Sequence, residues 1–314
     1  EHHEIVVGAR DFVDLAEKMV WHLDQPIADQ ATFAIYQLSA LARQHVKMVL
    51  TGEGGDELFA GYARHLGERL AFCARPIPAP ARSFMLAMSS RMPGLRRSKL
   101  ALYALCQSGE NARLANWFPL FNDEMQQELL GTTLRGKVNR NVSRDTVSRQ
   151  MRQTDAVEPL NRLLYLDTKA WLPDYLLLRG DKLPMAQSIE SRVPLLDHKV
   201  VEFAAALPAS LKLKYLTRKY LLKKAAATVL PAEIISRQKK GFPIPIGQWF
   251  RGEARTFLYD LLSPATVQRR GLFDPIYVDK LLREHDSGFA NHSMLLWGLV
   301  NVELWQRIFV DGRA

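Results

Sequence analysis

The sequence predicts an α/β fold: a partial parallel sheet near the start of the chain, followed by a large helical region. Three observations predict it. β-Rich runs at Ile5–Val7 and Val46–Leu50 bracket two helical patterns, which is the strand, helix, helix, strand order of an open sheet. A Gly-rich acidic segment follows Leu50 directly, and ligands of open sheets sit at the carboxyl ends of strands. From Tyr62 onward the pattern is almost wholly helical, with breaks near Pro76–Pro80, Pro93–Gly94, Gly131–Asn141, Pro208, Pro231, Gly241–Pro245 and Gly271–Pro275.

Each early element has its own signal. Asp11 is placed to cap a helix that carries Phe12, Leu15, Ala16, Met19 and Val20 at helical spacing. Asp24–Asp29, with Pro26 inside it, reads as a loop. Thr32 opens a second helix with Phe33, Tyr36, Leu38 and Leu41 as apolar positions. The chain begins at Glu1 with no initiator Met and with a strand already under way, which reads as a piece of a longer protein.

Composition narrows the function classes. With 314 residues, 47% hydrophobic and 24% charged, the chain is an ordinary globular protein that needs no disulfide or metal staple to fold. Its net charge of +9 suits an anionic ligand, and equally a plain basic surface. No Lys/Arg run with interleaved aromatics forms a nucleic-acid stripe. No apolar run reaches the roughly 18 residues of a membrane span, and no signal peptide opens the chain. Cys73 and Cys106 stand in apolar helical settings without metal-ligand spacing, as free buried thiols of a reducing compartment do. The expectation is therefore a cytoplasmic protein with neither nucleic acid nor membrane as partner.

Three segments carry chemistry. The first is Thr51-Gly52-Glu53-Gly54-Gly55-Asp56-Glu57. Its glycines let the backbone approach a phosphate. Its three carboxylates repel one another unless a cation such as Mg²⁺ lies between them and phosphate oxygens. It is no Walker A loop, because no Gly-Lys-Ser/Thr follows; a turn with Asp56 as helix cap needs only one acid. The second runs from Arg179-Gly180-Asp181-Lys182 to Glu190-Ser191-Arg192-Val193-Pro194 and Asp197. Asp197 is placed to cap the helix of Val200, Val201, Ala204 and Leu207, and Glu190 and Arg192 read equally as a salt bridge or as site residues. The third is Arg237-Gln238-Lys239-Lys240-Gly241-Phe242-Pro243. There a basic cluster meets a Gly/Pro loop, where cations can reach a phosphate or simply face water.

Taken together these segments resemble asparagine synthase of the glutamine-hydrolysing type. The matching residues are Asp24-Gln25-Pro26 with Asp29, Val49–Glu57, Ser188–Asp197, Thr217–Lys224 and Arg237–Phe242, in family order over about residues 1–310. The resemblance implies an ATP-pyrophosphatase-type fold (adenine nucleotide alpha hydrolase-like). Residues 1–66 would be the remainder of its nucleotide-binding sheet, and 67–314 the mostly helical part of the same domain. It implies ATP and Mg²⁺ as cofactors, aspartate as substrate, and ammonia channelled from an N-terminal glutaminase domain; a homodimer fits the same picture.

The family reaction converts the aspartate side chain to β-aspartyl-AMP with release of pyrophosphate, after which ammonia attacks. Carried over, Thr51, Gly52, Gly54 and Gly55 would meet the nucleotide. Glu53 would be the base on the ammonia side, Asp56 would hold Mg²⁺ and pyrophosphate, and Lys239 would stabilise developing charge. Asp29, Glu190 and Arg192 would shape the aspartate pocket. The family's Ser-Gly-Gly-x-Asp-Ser loop, its cysteine nucleophile and its glutaminase domain have no match in this chain, so the chain is expected to be inactive alone. Gln30-Ala31-Thr32 also departs from the family wording. A β-lactam-forming synthetase has tyrosine where this chain has Glu53, which argues against that relative. A truncated, inactive remnant is the non-enzymatic alternative.

Overall fold

The computed structural model describes residues 1–312 apart from 75, 92–95, 118, 140, 238–240, 242 and 243. Helix α1 (Ala9–Leu23) buries Phe12, Ala16, Met19, Val20 and Leu23 along one stripe, as the spacing predicted. Its cap differs from expectation. Gly8 is the N-cap and Asp11 lies in the first turn, where its carboxylate accepts the Gly8 N–H at 2.8 Å. The acid still satisfies a free donor at the helix start, from three residues further on.

Helix α2 (Ala31–Ala42) follows a turn set by Asp29. Asp29 Oδ1 accepts the Ala31 N–H at 2.9 Å, and its backbone oxygen accepts the Thr32 hydroxyl at 2.6 Å. Strand β1 (Met48–Leu50) comes next, then α3 (Gly55–Phe59) and α4 (Ala63–Arg69). The boundary placed at residue 66 falls inside α4.

Strand β2 (Glu190–Arg192) pairs with β1 in parallel, Met48 opposite Glu190 and Leu50 opposite Arg192. A small parallel sheet is thus present among the described residues, but its second strand comes from 190–192, in the part read as helical. Ile5–Val7 is not a strand. Nothing among the described residues pairs with it, and Val6 is 94% exposed. A β-branched run becomes a strand only against a neighbouring ladder, so local propensity alone does not decide. A short antiparallel hairpin, β3 (Leu213–Lys214) and β4 (Thr217–Arg218), stands behind the acidic loop.

The main core joins both ends of the chain. Phe12 and Phe33 from α1 and α2 meet Leu183, Phe250 and Trp297 of later helices, and the Phe12 and Trp297 rings lie 4.9 Å apart. Two smaller cores lie under the acidic loop. One holds Ala60, Leu160, Leu164, Ala209 and Leu213; the other holds Leu58, Phe59 and Ala204. Between them runs a long helical path: Pro159–Leu166, then wide π turns over Asp167–Leu177, then Leu178–Met185. Pro173 sits inside the wide stretch. Proline lacks the N–H of a regular helix and clashes with the preceding turn, and π turns are frequent at functional sites.

Asp197 caps its helix as expected, accepting the Lys199 N–H at 2.9 Å. Both cysteines are free, but neither is fully buried: Cys73 is exposed and Cys106 half-buried. Among the described residues no helix is long and apolar enough to cross a membrane.

Candidate active site

A cleft of about 2340 Å³ opens at the carboxyl end of β1. The ladder runs one rung beyond the strand, with the Thr51 N–H donating to Arg192 O at 2.8 Å. The chain then turns sharply. Gly54 has φ +83, and a Cβ there would lie 2.2 Å from Leu196 Cδ2, so neither conformation nor space admits a side chain. Thr51, Gly52, Glu53, Gly54, Asp56 and Glu57 all line the cleft. Gly55 opens α3 behind them, against Leu195.

Glu53 points at a buried arginine. Its Oε1 lies 3.6 Å from Arg179 Nη2, and Arg179 Nε pairs with Asp29 Oδ2 at 2.9 Å. Arg179 also lines the cleft and is only 9% exposed. Burial pushes the Glu53 carboxyl above its usual range; Arg179 opposes the shift, and the charges of Glu57 and Asp29 add to it. Gly180 makes this placement possible, since a Cβ there would lie 2.6 Å from Glu53 Oε2.

Three buried polar atoms of the cleft have no partner in the protein. Thr51 Oγ1, Glu53 Oε2 and Arg179 Nη1 are buried and make no hydrogen bond, a costly state unless another molecule meets them. All three residues line the cleft.

Asp56 is held from the other side. Its Oδ1 lies 3.1 Å from Lys219 Nζ. Lys219 has φ +55 and donates its backbone N–H to Phe59 O at 3.1 Å, while Arg218 Nη1 donates to Gly61 O at 3.0 Å. The hairpin is thereby fastened to the loop. Gly61 leaves the room, because a Cβ there would sit 1.7 Å from Asp56 Oδ1 and 2.4 Å from Lys219 Cε. Among the described residues no group of three His, Cys, Asp or Glu side chains forms a metal cage. Asp56 presents its carboxylate to the cleft from beside Lys219.

The structure brings together most of the expected residues. Asp29, Thr51, Gly52, Glu53, Gly54 and Asp56 share the cleft. Glu190 and Arg192 do not join them. Their side chains are 56% and 65% exposed, with the Arg192 Nε to Glu190 Oε1 pair at 3.7 Å, and it is Ser191 between them that lines the cleft. Successive strand residues face opposite sides, so the two cannot share Ser191's face. Lys239 lies outside the described residues. Arg179 and Lys219, the two cations that meet Glu53 and Asp56, carried no role in the sequence reading. Both sit in motifs that reading singled out, but only the fold places them opposite these acids.

Known proteins resemble this chain over nearly its whole length. The model of the family described as Asparagine synthase matches residues 1–307. Asparagine synthetase [glutamine-hydrolyzing] 1 of Bacillus subtilis is 31% identical over 312 residues, covering 98% of this chain and 48% of that protein. A putative asparagine synthetase [glutamine-hydrolyzing] of Mycobacterium tuberculosis H37Rv is 34% identical over 325 residues, covering 99% and 47%. Amidase chyE of Penicillium rubens is 28% identical over 288 residues, covering 82% and 41%. The chain thus spans about half the length of the curated relatives it matches. With the family model spanning nearly its whole length, the chain belongs to the asparagine synthase family.

Proposed function

We propose that the chain is the synthetase part of an ATP-dependent amide-forming ligase. It activates the aspartate side-chain carboxylate as β-aspartyl-AMP, releases pyrophosphate, and lets ammonia displace AMP. The observation that carries this reading is the unpartnered Glu53 Oε2 beside Thr51 Oγ1 at the end of β1, in a cleft that also presents Arg179 and Asp56.

In this reading Thr51 and the backbone of Gly52, Gly54 and Gly55 would meet the nucleotide; the first three line the cleft and Gly55 stands behind them. Arg179 supports Glu53, and its unbonded Nη1 would be available to a substrate carboxylate. Glu53 accepts a proton from the attacking ammonia, and its raised pKa makes it a stronger base than an exposed glutamate. Asp56 holds its place against Lys219 and would share Mg²⁺ with the pyrophosphate; when bound, that ion neutralises phosphate charge. Lys239 takes the charge-stabilising role of the family lysine. Asp29 orients Arg179 and borders the aspartate pocket. The ammonia source, a glutaminase domain N-terminal to this segment, and a homodimeric assembly belong to the same reading.

The second reading is a synthetase that amidates a related carboxylate in another pathway, favoured by the likeness to amidase chyE. Exchange of labelled pyrophosphate into ATP by the complete protein separates the two. Exchange is expected with aspartate and should be at least about tenfold weaker with glutamate, since one methylene in a fitted pocket is worth about 1–3 kcal/mol. Exchange stimulated by another carboxylate and not by aspartate selects the second reading. Absence of exchange with every carboxylate contradicts both.

A further inference from the structure

The acidic loop leads into α3, a helix of five residues, too short to hold itself in water. A buried polar chain lies beneath it. Glu57 is 1% exposed and its Oε1 accepts the Tyr62 hydroxyl at 2.5 Å. The Tyr62 backbone N–H donates to His65 Nδ1 at 3.2 Å. The His65 proton is therefore on Nε2, which donates to Asp167 Oδ2 at 2.7 Å. Burial lowers the His65 pKa, in keeping with a neutral ring. Arg64 gives Asp167 its counter-charge, with Nη2 2.9 Å from Oδ1 and Nε 3.2 Å from Oδ2. The Arg64 guanidinium lies over the Tyr62 ring, 4.2 Å from its centre.

Two routes thus lead from Asp167 to Tyr62, one through the His65 ring and one through the Arg64 plate. Asp167 is also the first residue of the π stretch, which itself brings Leu176 to the cleft and leads into the helix that sets Arg179 against Glu53. One carboxylate therefore joins the loop to the wall it faces. We propose that Asp167 is a positioning residue for the acidic loop. Through His65 and Arg64 it sets Tyr62, Tyr62 sets Glu57, and Glu57 fixes α3, so that Glu53 and Asp56 stay aimed into the cleft. The chemical consequence rests on the ligase reading above; the positioning itself does not. The competing account is that Leu58, Phe59 and Ala60 hold α3 by apolar packing alone.

The test is amide hydrogen exchange on the complete protein with Asp167→Asn, Tyr62→Phe and both together. Asp167→Asn should speed exchange at residues 52–58 by about tenfold or more while α1 stays unchanged, as local opening does. Tyr62→Phe removes a single hydrogen bond and should give a smaller change in the same place, which keeps the test open if Asp167→Asn folds poorly. Residues acting in one chain are not additive, so the double variant should be no faster than Asp167→Asn. Amide formation by Asp167→Asn should fall by about 10–100-fold, as for a misplacement near 1 Å. Three results overturn the proposal: loop exchange within about twofold of the unmodified protein for both single variants, equal acceleration of loop and α1, or additive effects in the double variant. Loop loosening in a protein that forms no amide with any carboxylate would leave the positioning role standing and sink the ligase reading.

Discussion

Glu53→Gln should leave pyrophosphate exchange into ATP intact and lower amide formation by about 10²–10⁴, the usual cost of losing a general base. The substitution keeps the size of the side chain and its contact with Arg179, and removes only the charge that takes the proton. The adenylate should therefore still form and then wait for a nucleophile that cannot be deprotonated. The pH dependence follows from the site. Burial raises the Glu53 pKa, and the base must be ionised to act. Amide formation should therefore fall as pH drops through that raised value, and the fall should vanish in Glu53→Gln. Parallel measurements of exchange and amide yield check this. An equal loss of both would move Glu53 from the ammonia side to the nucleotide side.

Lys239→Ala should abolish measurable adenylation while the melting temperature holds. A preorganised cation aimed at charge developing on the transferring phosphate is worth about 3–4 kcal/mol of barrier, by analogy with one donor of an oxyanion hole. Lys240→Ala should change activity and stability by less than about 0.5 kcal/mol, the range of substitutions that touch no special feature. Both lie outside the described residues, and the assignment to Lys239 rests on the family resemblance, which puts the lysine two residues after Arg237. Pyrophosphate exchange for both variants, beside their melting curves, decides the register. A lethal Lys240 change would shift that register by one residue.

How much of this was legible in the sequence depends on the range of the interaction. The helix stripe of α1, the strand before Thr51 and the cap at Asp197 are local patterns, and they fold as read, whereas α2 buries Phe33 and Tyr36 but leaves Leu38 exposed. The acidic loop was legible because glycines and carboxylates crowd into one short segment. Ile5–Val7 misled because a strand exists only through its partner. Glu190 and Arg192 misled because proximity along a strand is not proximity in space; the pleat puts Ser191 on the cleft and turns its neighbours away. Arg179 and Lys219 sat inside recognised segments, yet nothing local distinguishes them from surface cations. Their roles come from contacts made across the fold with Glu53, Asp29 and Asp56. The Asp167 network was equally hidden, since Asp167 lies in an apolar helical run far along the chain from His65.

The central claim is that the cleft joins a carboxylate to AMP before ammonia arrives. Isotope transfer tests it most directly. Aspartate labelled with ¹⁸O in its side-chain carboxylate is turned over by the complete protein with MgATP and ammonia, and the AMP is weighed by mass spectrometry. A carboxylate oxygen that attacks the α-phosphorus stays on that phosphorus when ammonia takes the carbonyl carbon. The account predicts one ¹⁸O in each AMP and none in pyrophosphate. Label found in inorganic phosphate beside ADP, or AMP formed without label, would contradict it.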